Sequence, residues 1–160
     1  MRVIAIANAK GGTGKTTVAS NLAACLAIKH GKRVLAVDLD AQGNLGIGFG
    51  IDPRKVKHTT FLLLTSEGPK IQDYIVPVSQ NLHLIPNAIS IELENRLESS
   101  HNRESILRLR LKAIRAQYDY VIVDTPPAMR TPTMNAVVAA GLEPVFADEL
   151  PPFVLFRPDF

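Results

Sequence analysis

The chain has 160 residues, of which 46% are hydrophobic and 21% charged, with one cysteine and a formal net charge of +3. This composition excludes a chain that is disordered throughout, and a single cysteine excludes a disulfide scaffold. Charged residues interrupt every apolar run before it reaches the length of a membrane span, and we see no signal peptide. We therefore expect one domain over residues 1–160, located in the cytoplasm.

Short apolar runs mark the predicted strands. They cover residues 3–7, 33–37 and 120–123, and a weaker fourth run covers residues 82–85 before Pro86 stops it. Each of the first three is continuously apolar, without the alternation of a half-exposed strand. That pattern is typical of strands that helices cover on both faces of a parallel sheet.

The first helix is predicted over residues 15–30, where alanine and leucine are frequent. The segment is apolar almost all round, so we expect the helix to be largely buried, with Cys25 in the core. Gly31 follows as the residue that ends the helix. Residues 46–70 are mostly loop by composition.

Three more helices are predicted later in the chain. Two cover residues 88–98 and 102–117, and a last short helix has Thr131 as N-cap, Pro132 at its first position and Gly141 at its end. Strands and helices thus alternate along the chain. This order predicts an α/β fold with a doubly wound, mostly parallel sheet.

Positive charge is concentrated between residues 101 and 117. Five basic residues stand there against one acid, Glu104, so this segment carries +4 and the rest of the chain −1. The basic residues are Arg103, Arg108, Arg110, Lys112 and Arg115. One interpretation is a solvated helix face, and the other is a surface that contacts nucleic-acid phosphates.

A glycine-rich loop, KGGTGKTT over residues 10–17, follows the first strand and opens the first helix. Glycines let the backbone curl so that consecutive N–H groups point at phosphate oxygens, and the helix N-terminus adds its positive dipole end. Lys15 can reach the β- and γ-phosphates, and Thr16 offers a hydroxyl to Mg²⁺. The loop therefore predicts a P-loop phosphate site. Its members are Gly11, Gly12, Thr13, Gly14, Lys15, Thr16 and Thr17.

One departure from the usual P-loop narrows the class. Ala9 stands where the common pattern has glycine, and Lys10 follows it. This resembles the deviant Walker A motif of the ParA/Soj/MinD group of ATPases, in which a signature lysine precedes two glycines. The resemblance implies ATP and Mg²⁺ as cofactors, and a Lys10 that reaches across a dimer interface to the partner's phosphates. Such a lysine would stabilise developing charge as an arginine finger does.

Two carboxylates follow the second strand in the segment DLDAQGN, residues 38–44. Alternation places Asp38 and Asp40 on the same side of the extended chain, at the strand end where such folds bind ligands. The segment resembles the DxDxQGN sequence of the ParA branch. By that resemblance Asp40 positions the attacking water, and Asp38 lies near the metal.

The third apolar strand runs into Asp124 in the segment VIVDTPP, residues 121–127. This is a Walker B pattern, in which Asp124 would hold Mg²⁺ through a water. Two prolines stiffen the turn that follows. In the family that the sequence resembles, this turn senses the nucleotide.

The resemblance covers residues 1–140, whereas residues 141–160 diverge from the family. Pro144 falls where the family has its next buried strand, and proline cannot donate to a central ladder. The ending is predicted to be a truncated or frame-shifted tail, or else the divergent end of a short variant.

The resemblance implies a ParA-like ATPase that binds Mg-ATP, dimerises as an ATP sandwich, binds DNA nonspecifically and hydrolyses ATP slowly when a ParB-type partner stimulates it. Its role would be partition of a plasmid or chromosome, on the nucleoid when ATP is bound. No membrane contact is expected, because prolines interrupt the tail where the MinD branch has an amphipathic helix. Two alternatives remain open: a nucleotide-binding remnant or regulatory module without turnover, and a small-molecule ligase or kinase with a related P-loop.

Overall fold

A computed structural model describes residues 1–66, 70–99, 103–141 and 155–156. The strands in these ranges are β1 (Arg2–Ile6), β2 (Val34–Asp38), β3 (Val76–Ser79), β4 (Leu82–Ile85), β5 (Tyr120–Asp124) and β6 (Leu155–Phe156). Within the described residues they form one sheet in the order β3-β4-β2-β5-β1-β6. The four inner strands are parallel, and the two edge strands are antiparallel to their neighbours.

The register of the parallel strands determines where the loops after them meet. Asp124 at the end of β5 is aligned with Asp38 of β2 on one side and with Ile6 of β1 on the other. The carboxyl ends of these three strands therefore lie at the same edge of the sheet, where doubly wound folds bind ligands.

Helices cover both faces of the sheet. They are α1 (Lys15–Ala24), α2 (Asn44–Gly48), α3 (Thr60–Thr65), α4 (Ile91–Ser99), α5 (Ile106–Lys112) and α6 (Thr131–Ala139). Side chains of α1 and α2 form one apolar cluster against the sheet, and side chains of α3 to α6 form the other. The predicted doubly wound, mostly parallel α/β fold is confirmed.

The prediction for residues 46–70 is wrong in part. Residues 60–65 form α3, where Phe61, Leu63 and Leu64 are buried. The hydroxyl of Thr59 accepts a hydrogen bond from the Leu62 N–H at 3.1 Å and so caps the helix. β3 was not predicted, because it is a four-residue edge strand that contains Pro77.

Helix α1 is less buried than its composition predicts. Ala19 and Ala23 are buried and face the sheet, because their small side chains allow a close approach. Val18 and Ile28 are exposed by 40% and 73%, and Cys25 is only partly buried, which corrects the expectation of a core cysteine. After Ala24 the helix continues as a π-helical turn over Cys25–Lys29, and Gly31 then adopts a φ of +60°.

The later helices differ from the prediction at their ends. α5 spans only Ile106–Lys112, and turns follow to residue 117. Thr131 is not the N-cap of α6, since Arg130 holds that position. The N–H and hydroxyl of Thr131 donate instead to the carboxylate of Glu98 at 3.2 and 2.6 Å, so this hydroxyl does not cap the helix.

Part of the sequence prediction falls outside the described residues. His101 and most of the divergent tail, with Pro144, lie there. Within the ranges that the structure covers, no helix has the length and apolarity that a membrane span requires.

Candidate nucleotide-phosphate site

The loop between β1 and α1 has the backbone shape that its glycines predict. Gly12 and Gly14 adopt φ values of +72° and +81°, a conformation that residues with a Cβ rarely adopt. Within the loop, the Lys10 N–H donates to the Asn8 side chain at 2.8 Å, and the Thr13 hydroxyl donates to the Lys10 carbonyl at 3.3 Å. The loop is therefore folded on its own hydrogen bonds.

Lys15 closes the loop from inside. Its side chain is buried, with 8% of the residue exposed, and its Nζ donates to the Lys10 carbonyl at 3.2 Å. Lys15 is also the first residue of α1, which has neither a side-chain N-cap nor an acidic residue in its first turn. The positive end of this helix is therefore available to an external anion.

Lys10 has a different environment from Lys15. It is exposed, and its ammonium group has no hydrogen bond or ion pair with the part of the chain that the structure describes. The two lysines therefore differ in exposure. The Lys15 side chain points into the loop, whereas the Lys10 side chain is exposed to solvent.

A cleft of about 460 Å³ lies beside the loop. Its lining brings most of the predicted phosphate-site residues together with Asp40 from the end of β2. These predicted residues are Gly12, Thr13, Gly14, Lys15, Thr16 and Thr17. Gly11 lies next to the cleft, because a Cβ placed on it would be 3.8 Å from Pro127.

Four further residues line the cleft, although sequence reasoning assigned them no individual role. They are Gln42, Asn44, Thr125 and Pro127. All four belong to the two segments that follow β2 and β5, so their motif membership was the available signal. Thr125 also joins the end of β5 to the end of β1, because its hydroxyl donates to the Ile6 carbonyl at 2.8 Å.

Asp124 is a buried carboxylate that lies close to the Thr16 hydroxyl and the Lys15 ammonium. Neither Oδ1 nor Oδ2 has a hydrogen-bond partner among the described residues. Burial raises the pKa of Asp124 to about 6 and the charge of Asp40 adds to the increase, while the Thr16 hydroxyl and the Lys15 ammonium oppose it. A buried carboxylate without a partner is costly, and a cation bound there would remove that cost.

This arrangement fits Mg²⁺ rather than a metal bound by protein alone. The described ranges contain no group of three or more His, Cys, Asp or Glu side chains that could hold a metal. Mg²⁺ commonly takes one or two carboxylates and completes its shell with substrate phosphates and water. Asp124 and the Thr16 hydroxyl, which lines the cleft, would supply the protein side of such a site.

Asp38 is fully buried and does not line the cleft. Its Oδ1 accepts the Asp40 N–H at 3.0 Å, and its Oδ2 accepts the N–H groups of Leu45 and Gly46 at 3.1 and 3.4 Å. Burial, followed by the charge of Asp124, raises the pKa of Asp38 to about 8. Both oxygens are thus occupied by backbone donors.

Asp40 reaches the cleft with a fixed orientation. Its Oδ1 accepts the Gln42 N–H at 3.0 Å, and its carbonyl accepts the Gly43 N–H at 3.1 Å. These bonds close a tight turn over residues 40–44. The backbone of this turn therefore holds the carboxylate beside the phosphate loop.

The raised pKa values predict how stability depends on pH in the nucleotide-free chain. Folded Asp38 and Asp124 have pKa values near 8 and 6, against an ordinary value of 3.8, so they keep protons that the unfolded chain has lost. The free energy of unfolding should fall as pH rises from about 4 to 8. Urea denaturation in EDTA at several pH values measures it.

The variant Asp124→Asn isolates the contribution of Asp124. It should flatten the decline below about pH 6, because that group no longer titrates. Asp119, whose pKa the Arg33 guanidinium lowers to about 2, acts in the opposite direction only below pH 4. If the free energy of unfolding of the variant falls with pH as steeply as that of the unmodified chain, the raised pKa of Asp124 is contradicted.

Together the loop, the buried lysine and the acidic strand ends define a P-loop domain with a candidate nucleotide-phosphate site. Residues 1–143 match the family described as AAA domain, so the chain belongs to that family and, with its deviant Walker A lysine, to the ParA/Soj-type group.

Known relatives agree with this assignment. The chain is 41% identical over 140 residues to the sporulation initiation inhibitor protein Soj of Bacillus subtilis, covering 87% of this chain and 55% of Soj. It is 42% identical over 143 residues to the chromosome partitioning protein ParA of Myxococcus xanthus, covering 87% and 49%. The chain spans about half the length of the curated relatives it matches.

A solved structure shares the fold. Cobyrinic acid a,c-diamide synthase from Mycobacterium smegmatis, with bound ADP and magnesium, superimposes with a TM-score of 0.80 at 34% identity. The match covers 87% of this chain and 56% of the synthase chain.

Proposed function

We propose that this chain carries the nucleotide site of a ParA-like partition ATPase, which binds Mg-ATP and hydrolyses it slowly. The observation that carries the proposal is the pair of lysines on one loop, Lys15 buried and Lys10 exposed. An ordinary P-loop needs only the first. The name of the Myxococcus xanthus relative, a chromosome partitioning protein, supports a role in DNA partition.

Binding would use groups that are already in place. The loop N–H groups, the Lys15 ammonium and the free N-terminus of α1 would hold the phosphates. Thr16 and Asp124 would hold Mg²⁺, which when bound neutralises charge on the β- and γ-oxygens. Because hydrogen bonds within the loop already hold its shape, little ordering would be needed on binding.

Hydrolysis would depend on Asp40. Its carboxylate lines the cleft, and the bond from the Gln42 N–H fixes its orientation. We propose that Asp40 orients the attacking water and accepts its proton, as a positioned general base does.

Lys10 would act on a second copy of the chain. Its exposed ammonium could reach the triphosphate of a facing subunit, so that two chains enclose two nucleotides in an ATP sandwich. Supplying charge in trans would couple dimerisation to catalysis. In the same proposal the dimer binds DNA nonspecifically on the nucleoid, and a ParB-type partner stimulates its turnover.

The Asp40→Asn variant tests the catalytic assignment. It should bind Mg-ATP with unchanged affinity, because the loop and Lys15 remain, while phosphate release falls by about 100-fold or more. Phosphate release with saturating Mg-ATP measures the effect. The matched control is Glu92→Gln, which neutralises an exposed acid of α4 outside the cleft and should leave the rate unchanged.

The result also separates the alternatives. Equal phosphate release by Asp40→Asn and the unmodified chain would contradict a role for Asp40 in the reaction. Tight Mg-ATP binding with no release from any form would favour a regulatory module without turnover.

A second candidate, a small-molecule ligase, is favoured by one observation. The structural neighbour with a TM-score of 0.80 is named as a cobyrinic acid a,c-diamide synthase. A ligase would release phosphate only when a carboxylic acid acceptor and an amide donor are present. Phosphate release without any acceptor would instead support the partition ATPase.

A further inference from the structure

Two aspartates in register on adjacent strands differ in their hydrogen bonding. The register aligns Asp38 of β2 with Asp124 of the adjacent strand β5. Both are fully buried, yet the Asp124 oxygens have no partner among the described residues, whereas both Asp38 oxygens accept backbone N–H groups. A metal at Asp124 would therefore meet only weak competition from neighbouring donors such as the Thr16 hydroxyl, whereas a metal at Asp38 would have to displace three backbone N–H groups.

The Asp38 bonds fall at the two ends of the turn that carries Asp40. Oδ1 holds the N–H of Asp40 itself, and Oδ2 holds the N–H groups of Leu45 and Gly46 in the first turn of α2. One carboxylate thus fixes the entrance and the exit of residues 40–44.

A second contact holds the same turn from the side of β4. Gly43 has a φ of +67°, and a Cβ placed on it would lie 2.7 Å from the Asn87 carbonyl oxygen and 3.5 Å from Pro53. Asn87 is itself buried, and its Oδ1 accepts the Phe61 N–H at the start of α3, at 3.4 Å. The turn therefore rests against a segment that is anchored to another helix.

We infer that Asp38 is a positioning residue that holds Asp40 in place through the backbone, and that the contact between Gly43 and Asn87 is the second support of this turn. The inference rests on the proposed function, because Asp40 is the group that is positioned. It gives Asp38 a task other than the metal contact that the family resemblance implies. A misplacement of about 1 Å at a catalytic group can cost about 100-fold in rate.

The variants Asp38→Asn and Asp124→Asn distinguish the two tasks. In nucleotide-free chain, Asp38→Asn should speed amide hydrogen exchange at Asp40 and Leu45 by about tenfold or more, because an amide side chain cannot accept bonds at both positions. Asp124→Asn should leave those amides protected. With ligand, Asp38→Asn should lower kcat at unchanged KM and keep the Mg²⁺ midpoint of nucleotide binding, whereas Asp124→Asn should raise that midpoint.

The opposite pattern overturns the inference. If Asp38→Asn raises the Mg²⁺ midpoint as much as Asp124→Asn does, and the amides of Asp40 and Leu45 stay protected, Asp38 is a metal group. The hydrogen-exchange measurement uses no nucleotide, so it tests the role of Asp38 even if the chain fails to bind Mg-ATP. That failure would contradict the proposed function alone.

Glycine substitutions give an independent test should Asp38→Asn fail to fold. Gly43→Ala and Gly50→Ala both place a Cβ on a residue of positive φ, +67° and +82°, but only the first meets a neighbour within 4 Å. We expect Gly43→Ala to speed amide hydrogen exchange at Gln42 and to lower kcat, each by more than Gly50→Ala does. Equal effects of the two variants would refute the support by Asn87.

Discussion

Replacing Lys15 with alanine is expected to weaken Mg-ATP binding by about 100-fold or more. The Lys15 ammonium lies inside the loop, where only 8% of the residue is exposed, and it already bonds to the Lys10 carbonyl. A buried cation that meets phosphate makes charge-assisted bonds worth about 1.5–3 kcal/mol each, and about 1.4 kcal/mol corresponds to tenfold in affinity. Titration with a fluorescent ATP analogue in Mg²⁺ measures the loss.

Two controls make the Lys15 result specific. Lys57→Ala removes an exposed lysine that does not line the cleft, so its affinity should match that of the unmodified chain. Thermal unfolding without nucleotide should give a cooperative transition for Lys15→Ala, which establishes that the variant is folded. Undiminished binding by a folded Lys15→Ala variant would contradict the P-loop assignment.

The Lys10→Ala variant is expected to separate binding from dimerisation. Lys10 is exposed and makes no side-chain bond within the described residues, so its loss should barely change the affinity of one chain for Mg-ATP. ATP-dependent dimerisation should disappear, and partner-stimulated hydrolysis should fall by about a thousandfold, the scale of a charge supplied in trans. Sedimentation velocity with a non-hydrolysable ATP analogue measures the dimer.

The same experiment has an informative negative result. A Lys10→Ala variant that dimerises as well as the unmodified chain would refute the action of Lys10 on a partner's nucleotide. If the unmodified chain itself stays monomeric with saturating analogue, the ATP-sandwich proposal fails for this chain, while the Lys15 prediction stands.

Elements with a local signal were predictable from the sequence. The strands β1, β2 and β5 are continuously apolar because helices cover both of their faces. The phosphate loop was predictable because its glycines and lysines all lie within eight consecutive residues. β3 was not, since an edge strand of four residues with Pro77 has little pattern. Helix α3 was missed because its apolar run FLLL has no helical periodicity.

The candidate site shows the same division. The sequence motifs alone predicted that Lys15, Thr16 and Asp40 share one site, and in the structure all three line the same cleft. The contacts of Asp38 could not be predicted, because they depend on where α2 begins and on which N–H groups of its first turn point toward Asp38. The approach of Gly43 to Asn87 joins residues 44 positions apart, and no local pattern encodes such a contact.

The most direct test of the central claim is equilibrium binding of an ATP analogue to this 160-residue chain, with Mg²⁺ and with EDTA. We predict saturable binding that tightens when Mg²⁺ is present, because Asp124 and Thr16 would hold the cation beside the phosphates. The absence of saturable binding by the folded chain, or an affinity that does not respond to Mg²⁺, would contradict it.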